Sequence, residues 1–572
     1  GNNVVQNILP GSTLYNSTRT LSSGLNQQHA ANARYEWKLD SLTSFKLTTT
    51  GTMKRTTYED STFFSALNGK NELLNNTRRY TERLNDRLQS DNQLQYKQLF
   101  KKKNRQLLAT FRFGYTEDDL SGLNYAQIRT YEGGVVDQDS IVDQQRRFNG
   151  HSVTWGGKVT YTEPLNAKWS IVTEYSHNDN SSKSVKESFN KSNNGKYETL
   201  DPQFSNRFEL DVASNGGILI GKYFTKKVKF AFGSGLSAVK LNLFNIDSQA
   251  RKVYNFRNIT PQASFGYMLK QNSNISFNYR GTTRQPTIDQ LQPFRDNTDP
   301  NNLFIGNPDL KVSFTHNISM FYNSYKVLTG RGIWINASYN VTENAITNEN
   351  NFDVATGKRT YRPVNVDGNK NIWYWAEWNH GEGEKKWIHT VRTSGNGGRY
   401  NNFVQGQKVR TDYATFEFGY GIRYEVSEKY SIHISPEGGY NLSNSSLKTP
   451  INNNYFSYGG RVEGKLNLTK KLELWSETNF ELREKFKLPD NFSFPGLNLR
   501  QNIILWNAHL SYQVFKDKSG KIFLSANDLL NQNQGFSRQI TSNMISEDRY
   551  QRIARYVMLR FEWTFNKMPG QK

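Results

Sequence analysis

A chain of 572 residues with 13% aromatics but only 35% apolar residues is poorer in core formers than a set of packed soluble domains requires. It has no cysteine, which excludes disulfides, thiolate metal centres and cysteine nucleophiles; no apolar run reaches the roughly 18 residues of a membrane-spanning helix. Lys and Arg outnumber Asp and Glu by 73 to 51, a net charge of +22. These charges are scattered through strands and turns without a recognition-helix pattern, so nucleic acid is not expected, while anionic lipid headgroups are.

Alternation of apolar and polar residues pervades the chain, and no fixed internal repeat accompanies it. Such alternation makes strands with two different faces, and a polar average with many aromatics is what a transmembrane barrel needs, because only every second residue meets lipid. The fold expected is all-β: an antiparallel up-and-down transmembrane barrel with short periplasmic turns and long extracellular loops. Residues 1–11 read as a connector, with Pro10-Gly11 as a turn into the barrel, and 12–566 as the barrel itself. Tight turns fall at Asp40–Thr43, Lys101–Asn104, Pro164–Lys168, Tyr223–Lys227, Lys270–Asn274, Tyr325–Gly330, Gly381–Lys385, Val426–Lys429, Asn467–Lys471 and Lys516–Gly520. With a strand at about 12–22 before them and one at about 551–566 after, they give about 22 strands, the size of plugged transporters.

The long connections fall at 58–84, 117–149, 181–203, 286–308, 346–367, 484–498 and 532–550. The first holds Arg78 and Arg79, candidates for an anionic ligand or a lipopolysaccharide-facing rim. Phe232-Gly233-Ser234-Gly235 lacks the spacing of a nucleophile elbow, no phosphate-binding glycine pattern occurs, and the eight histidines are dispersed. No enzyme, metal site or cofactor is expected.

At 274–320 two alternating runs flank a loop rich in Pro, Asn, Asp and Gly. Its Arg284-x-Pro286-x-x-x-x-Leu291 segment is followed by Gly306-Asn307-Pro308-x-Leu310. This pattern resembles the central extracellular loop of TonB-dependent outer-membrane receptors. A second likeness lies at Leu524-Ser-Ala-Asn527-Asp-Leu529-Leu530-Asn531, which is similar to the penultimate barrel strand of that family. The resemblance implies import of a scarce solute (a siderophore, oligosaccharide or peptide) through a barrel around an N-terminal plug, driven by a TonB-type energy transducer. The connector at 1–11 would then lead from that plug. An alternative is a non-transporting accessory or structural barrel holding a surface lipoprotein on its loops. The loop's prolines predict that 286–308 is ordered and folded toward the lumen, with Arg295 as a further ligand candidate.

Later in the chain, Ile372, Tyr374, Ala376 and Trp378 should face lipid. Trp373, Trp375 and Glu377 then face inward, where the tryptophans could stack on a ligand or pack against a plug. In 411–426, Phe416, Phe418, Tyr420, Ile422 and Tyr424 share one face, and Glu417, Arg423 and Glu425 the other. The last strand repeats the pattern, with Arg560 and Glu562 inside and Arg555 near the extracellular rim. Residues 567–572 form a tail.

Overall fold

Strict alternation is carried into one sheet, of 29 strands among the described residues. The computed structural model describes residues 1–564 except 292–294, 297–298, 327–328, 383–386, 427–428, 448–453, 484–501, 516–518, 534 and 542. The expected loop at 484–498 and the tail at 567–572 therefore lie outside the described residues.

The strands flanking all ten expected turns pair antiparallel. Successive hairpins are joined by antiparallel pairing in chain order, so the wall runs up and down from Ser12–Lys38 to Tyr556–Trp563. No described helix is long and apolar enough to cross a membrane; strands do the crossing. Their outward faces carry rings such as Phe232, Phe416 and Phe418, all exposed. On the inner face Arg461 meets Glu463 and Glu477 at 2.7 and 3.0 Å, where a solvated lumen spares the cost of a charge in lipid.

Two expectations are corrected. The stretch 12–22 is not a strand of its own but the outer part of Ser12–Lys38, which is 27 residues long. Among the described residues the wall is therefore ten hairpins and a last strand. The segments 58–84, 117–149 and 181–203 are mostly strand rather than loop. Thr43–Asn68 and Leu73–Leu99 pair almost to their tips, as do Gln106–Glu132 and Val135–Pro164. Polar alternation of Thr, Ser, Asn and Gln continues there, and pairing satisfies every second backbone group that a solvated loop would leave to water. Gly133 and Gly134, with φ of 58° and 83°, close the second hairpin in two residues. At about 3.3 Å per residue these strands are some 80–100 Å long, against the 9–11 residues that cross a membrane. The later strands Gly520–Asn527 and Tyr556–Trp563 have only 8 residues. One side of the wall is thus much taller than the other.

Residues 2–9 form a strand rather than an extended connector. Asn2–Leu9 turns at Pro10-Gly11 and pairs with the outer part of Ser12–Lys38, from Leu9↔Ser12 to Asn2↔Arg19. Its other edge takes the hairpin strand Met544–Tyr550, inside the long segment expected at 532–550. Among the described residues nothing pairs with the outer edge of 21–38 or with the free edge of Tyr556–Trp563. Both strands run toward the turn end, so they cannot pair antiparallel with each other across that seam. Arg555 lies just before the last strand and donates to the Leu529 carbonyl, at the loop end where it was expected.

Candidate functional site at the loop end of the lumen

The segment after Arg284 leaves the wall because Pro286 cannot continue the ladder. Thr287 then caps a short helix, Ile288–Leu291. Its backbone N–H donates to Gln290 Oε1 (3.0 Å), and the Gln290 N–H donates to Thr287 Oγ1 (3.4 Å). This reciprocal pair is a capping box, legible as Thr-x-x-Gln. Leu291 at its end is 1% exposed and Leu310 6%, so both apolar positions of the resemblance motif are anchors. Between them, the Asn307 N–H donates to the Gln290 carbonyl (2.6 Å), its side chain donates to the Pro363 carbonyl (3.0 Å), and its Oδ1 receives the Asp309 N–H. Gly306-Asn307-Pro308 is thus a turn clamped to a second connection.

That second connection is a hairpin, Ala345–Phe352 with Arg359–Val366. Asn302–Ile305 adds to it in parallel, pairing Asn302 with Arg359 and Phe304 with Tyr361. Ala345–Phe352 in turn pairs briefly in parallel with Trp387–Val404. Gln405 donates to the Phe352 carbonyl and accepts its N–H, at 2.8 and 3.0 Å. The Phe352 ring lies in a cluster with Leu9, Leu14, Leu74, Val404 and Val409. These residues come from the start of the wall and from strands far along it, so the cluster closes the space between them with apolar contacts.

The loop is also tied to the wall by polar groups. Asn301, 3% exposed, accepts at Oδ1 from Asn75 Nδ2 (3.0 Å) and from Thr77 Oγ1 (3.4 Å). Two residues along the same strand face, Arg79 lies 3.7 Å from the buried Asp60 carboxylate and 3.9 Å from Asp299. At Asp299, Asn301 and Asn307 the segment expected to fold inward is held by these bonds.

The sequence candidates separate accordingly. Arg79 points inward as a carboxylate partner of the loop; Arg78, its neighbour on the strand, points to the opposite, exposed side. Arg295 pairs its backbone with Ile305, and its side chain lies outside the described residues. Trp373 and Trp375 stand on the inward face of Asn369–Glu382, between Ser338 and Asn336 on one side and Asn396 and Ser394 on the other. They lie along the wall. Sequence reasoning missed Asn75, Thr77, Asp60 and Phe352. Only the capping box carried a local signal; a buried Asn on a polar strand looks like any solvated Asn.

A model of the outer membrane protein beta-barrel family matches residues 98–563. Among solved structures, the copper transporter OprC is 10% identical, over 88% of this chain and 79% of that one, with a TM-score of 0.48. The outer membrane transporter YddB from Escherichia coli is 9% identical over 99% and 80%, with a TM-score of 0.43. The siderophore receptor PirA from Pseudomonas aeruginosa is 10% identical over 96% and 79%, with a TM-score of 0.34. Likenesses at these scores do not bear on what this chain binds. No curated protein matches the chain.

Proposed function

The chain belongs to the outer membrane protein beta-barrel family, and on that premise we propose that it is the barrel of a TonB-dependent receptor-type transporter importing a scarce solute. Its location is the outer membrane, which it crosses repeatedly by strands. The observation that carries the proposal is a set of loop segments bonded to one another and to the wall at the loop end. Here Asn307 is bonded to the 345–366 hairpin, Asn301 and Asp299 are bonded to Asn75, Thr77 and Arg79, and Phe352 lies in an apolar cluster with wall residues. Loops tied to the wall by many weak contacts suit ligand-gated entry. The solute remains one of the siderophore, oligosaccharide or peptide classes, with Trp373 and Trp375 available along the inner wall for stacking on it or on a plug.

The proposal includes an N-terminal plug domain leading into Asn2–Leu9 and a TonB-type transducer as partners. The resemblance of the Arg284–Leu310 and Leu524–Asn531 segments to that receptor family supports it. Lipopolysaccharide and phospholipid headgroups are the proposed partners of the basic rims. The test is electrical. The native full-length protein in a planar bilayer should be closed, and deletion of 345–366 should raise conductance when plug displacement is induced. A large steady conductance of the native protein would make it a pore and refute the reading.

One observation favours a second reading, an accessory barrel that holds a surface lipoprotein. At the tip of the tall wall Val135, Val136 and Ile141 are 71%, 48% and 62% exposed. Affinity purification from native membranes, with a lipoprotein lost when these three become Ser, would favour it.

A further inference from the structure

On the inner face of the tall wall, four strands set two rows of side chains side by side. In the first row Arg83 pairs with Gly122, and Gly122 with Arg146. The two arginines therefore flank a position with no side chain, with their Cα atoms about 10 Å apart across two strand spacings. A Cβ on Gly122 would stand 2.1 Å from the Glu82 carbonyl oxygen, so this bare floor is dictated by the approach of the neighbouring strand. The next row, two residues toward the turns, holds Asn85, Leu120, Phe148 and Lys186 in register. Lys186 sits 6.0 Å from the centre of the Phe148 ring, and Arg83 lies 5.9 Å from that of Tyr58. Together the rows line a cavity of about 290 Å³, within reach of the usual size of small-ligand sites.

Two acceptors give the cavity its second character. Asn85 Oδ1 and, one row further, Asp118 Oδ1 are buried with no hydrogen-bond partner among the described residues. Buried polar atoms are nearly always paired, and an unpaired one asks for a partner. A ligand that supplies a donor there answers that need.

We propose that this cavity binds a hydroxylated ring carboxylate. The carboxylate lies over Gly122 between the Arg83 and Arg146 guanidiniums, which bond such groups in fork geometry. The ring lies on Leu120 and Phe148. A ring hydroxyl donates to Asn85 Oδ1, one row and about 6.6 Å further along the strands, the distance a single ring spans. The inference rests on the transporter reading only in making the ligand cargo or part of it; the binding itself does not depend on transport.

The test uses the full-length protein in detergent, with 4-hydroxybenzoate, benzoate and inorganic phosphate titrated by calorimetry. 4-Hydroxybenzoate should bind, benzoate at least 5-fold more weakly, and phosphate more weakly still. Arg83→Gln should weaken 4-hydroxybenzoate at least 10-fold. Asn85→Leu should abolish the preference for the hydroxylated ring while leaving benzoate binding in place, a result that general misfolding would not give. No binding of 4-hydroxybenzoate, phosphate binding as tight as the ring acid, or a preference that survives Asn85→Leu would each overturn the proposal. Uptake of labelled 4-hydroxybenzoate by cells is measured separately. Binding without energy-dependent uptake leaves the pocket standing and counts against transport; uptake that is unchanged by Arg83→Gln sinks the pocket and leaves transport standing.

Discussion

Phe352→Ala should loosen the mouth without disturbing the wall. The ring is 7% exposed and meets Leu9, Leu14, Leu74, Val404 and Val409. Its backbone is held separately, through the two bonds to the Gln405 side chain. The substitution therefore removes apolar contacts and leaves a cavity, while the polar anchors of the hairpin persist. Truncation of a buried Phe costs about 3–5 kcal/mol. At about 1.4 kcal/mol per factor of ten, the open form of the hairpin should rise by roughly 140- to 4,000-fold if the whole cost falls on closure. Hydrogen exchange of the 345–366 amides measures this directly, because protection there reports local opening. Exchange in Asn369–Glu382 should not change, since that strand is paired on both edges with Arg331–Glu343 and Trp387–Val404. Unaltered exchange in 345–366 would show that the cluster does not hold the mouth closed. Acceleration across the neighbouring wall strands as well would show that the ring supports the barrel and not the lid.

Arg79→Met leaves the buried Asp60 and the loop residue Asp299 without their cation, at a cost of about 1–3 kcal/mol; exchange of the amides in 299–305 should quicken, and an unchanged rate would remove Arg79 from the account. Phe418→Arg puts a charge on the lipid face and should lower folding stability by about 2–4 kcal/mol, whereas Glu417→Gln next to it, on the lumen side, should change stability little; urea titration of the protein in lipid vesicles distinguishes the two. Protease added to intact cells should cut at Gly133-Gly134 and spare 101–104 and 467–471; cleavage at the lysine turns would invert the topology. Thr287→Ala removes one half of the capping box and should cost about 1 kcal/mol, read as faster exchange at Leu291 with no change in the wall.

By itself the sequence determined the barrel. Period-two alternation places Phe416, Phe418 and Tyr420 on one face and Glu417 and Arg423 on the other, and this choice is made residue by residue. The ten turns were legible for the same reason, since Gly, Asn, Pro and Lys clusters interrupt alternation locally. The motif at Arg284–Leu310 also marked an ordered loop, because Pro286, the Thr287–Gln290 cap and the Asn307 turn are short-range devices. The extent of the outer strands was not decided at this level. In 58–84 and 117–149 a polar alternating strand and a polar loop have the same composition, and only a partner in register, such as Leu84 against Thr57 or Ser121 against Arg147, makes one of them a strand. The site was decided the same way. Asn75 meets Asn301, Phe352 meets Leu14, and Arg83 faces Arg146 across Gly122 only after wall strands and crossing loops are brought together, over separations that no local pattern encodes. Alternation tells each side chain whether it faces lipid or lumen, and pairing across the sheet decides which side chain it faces there.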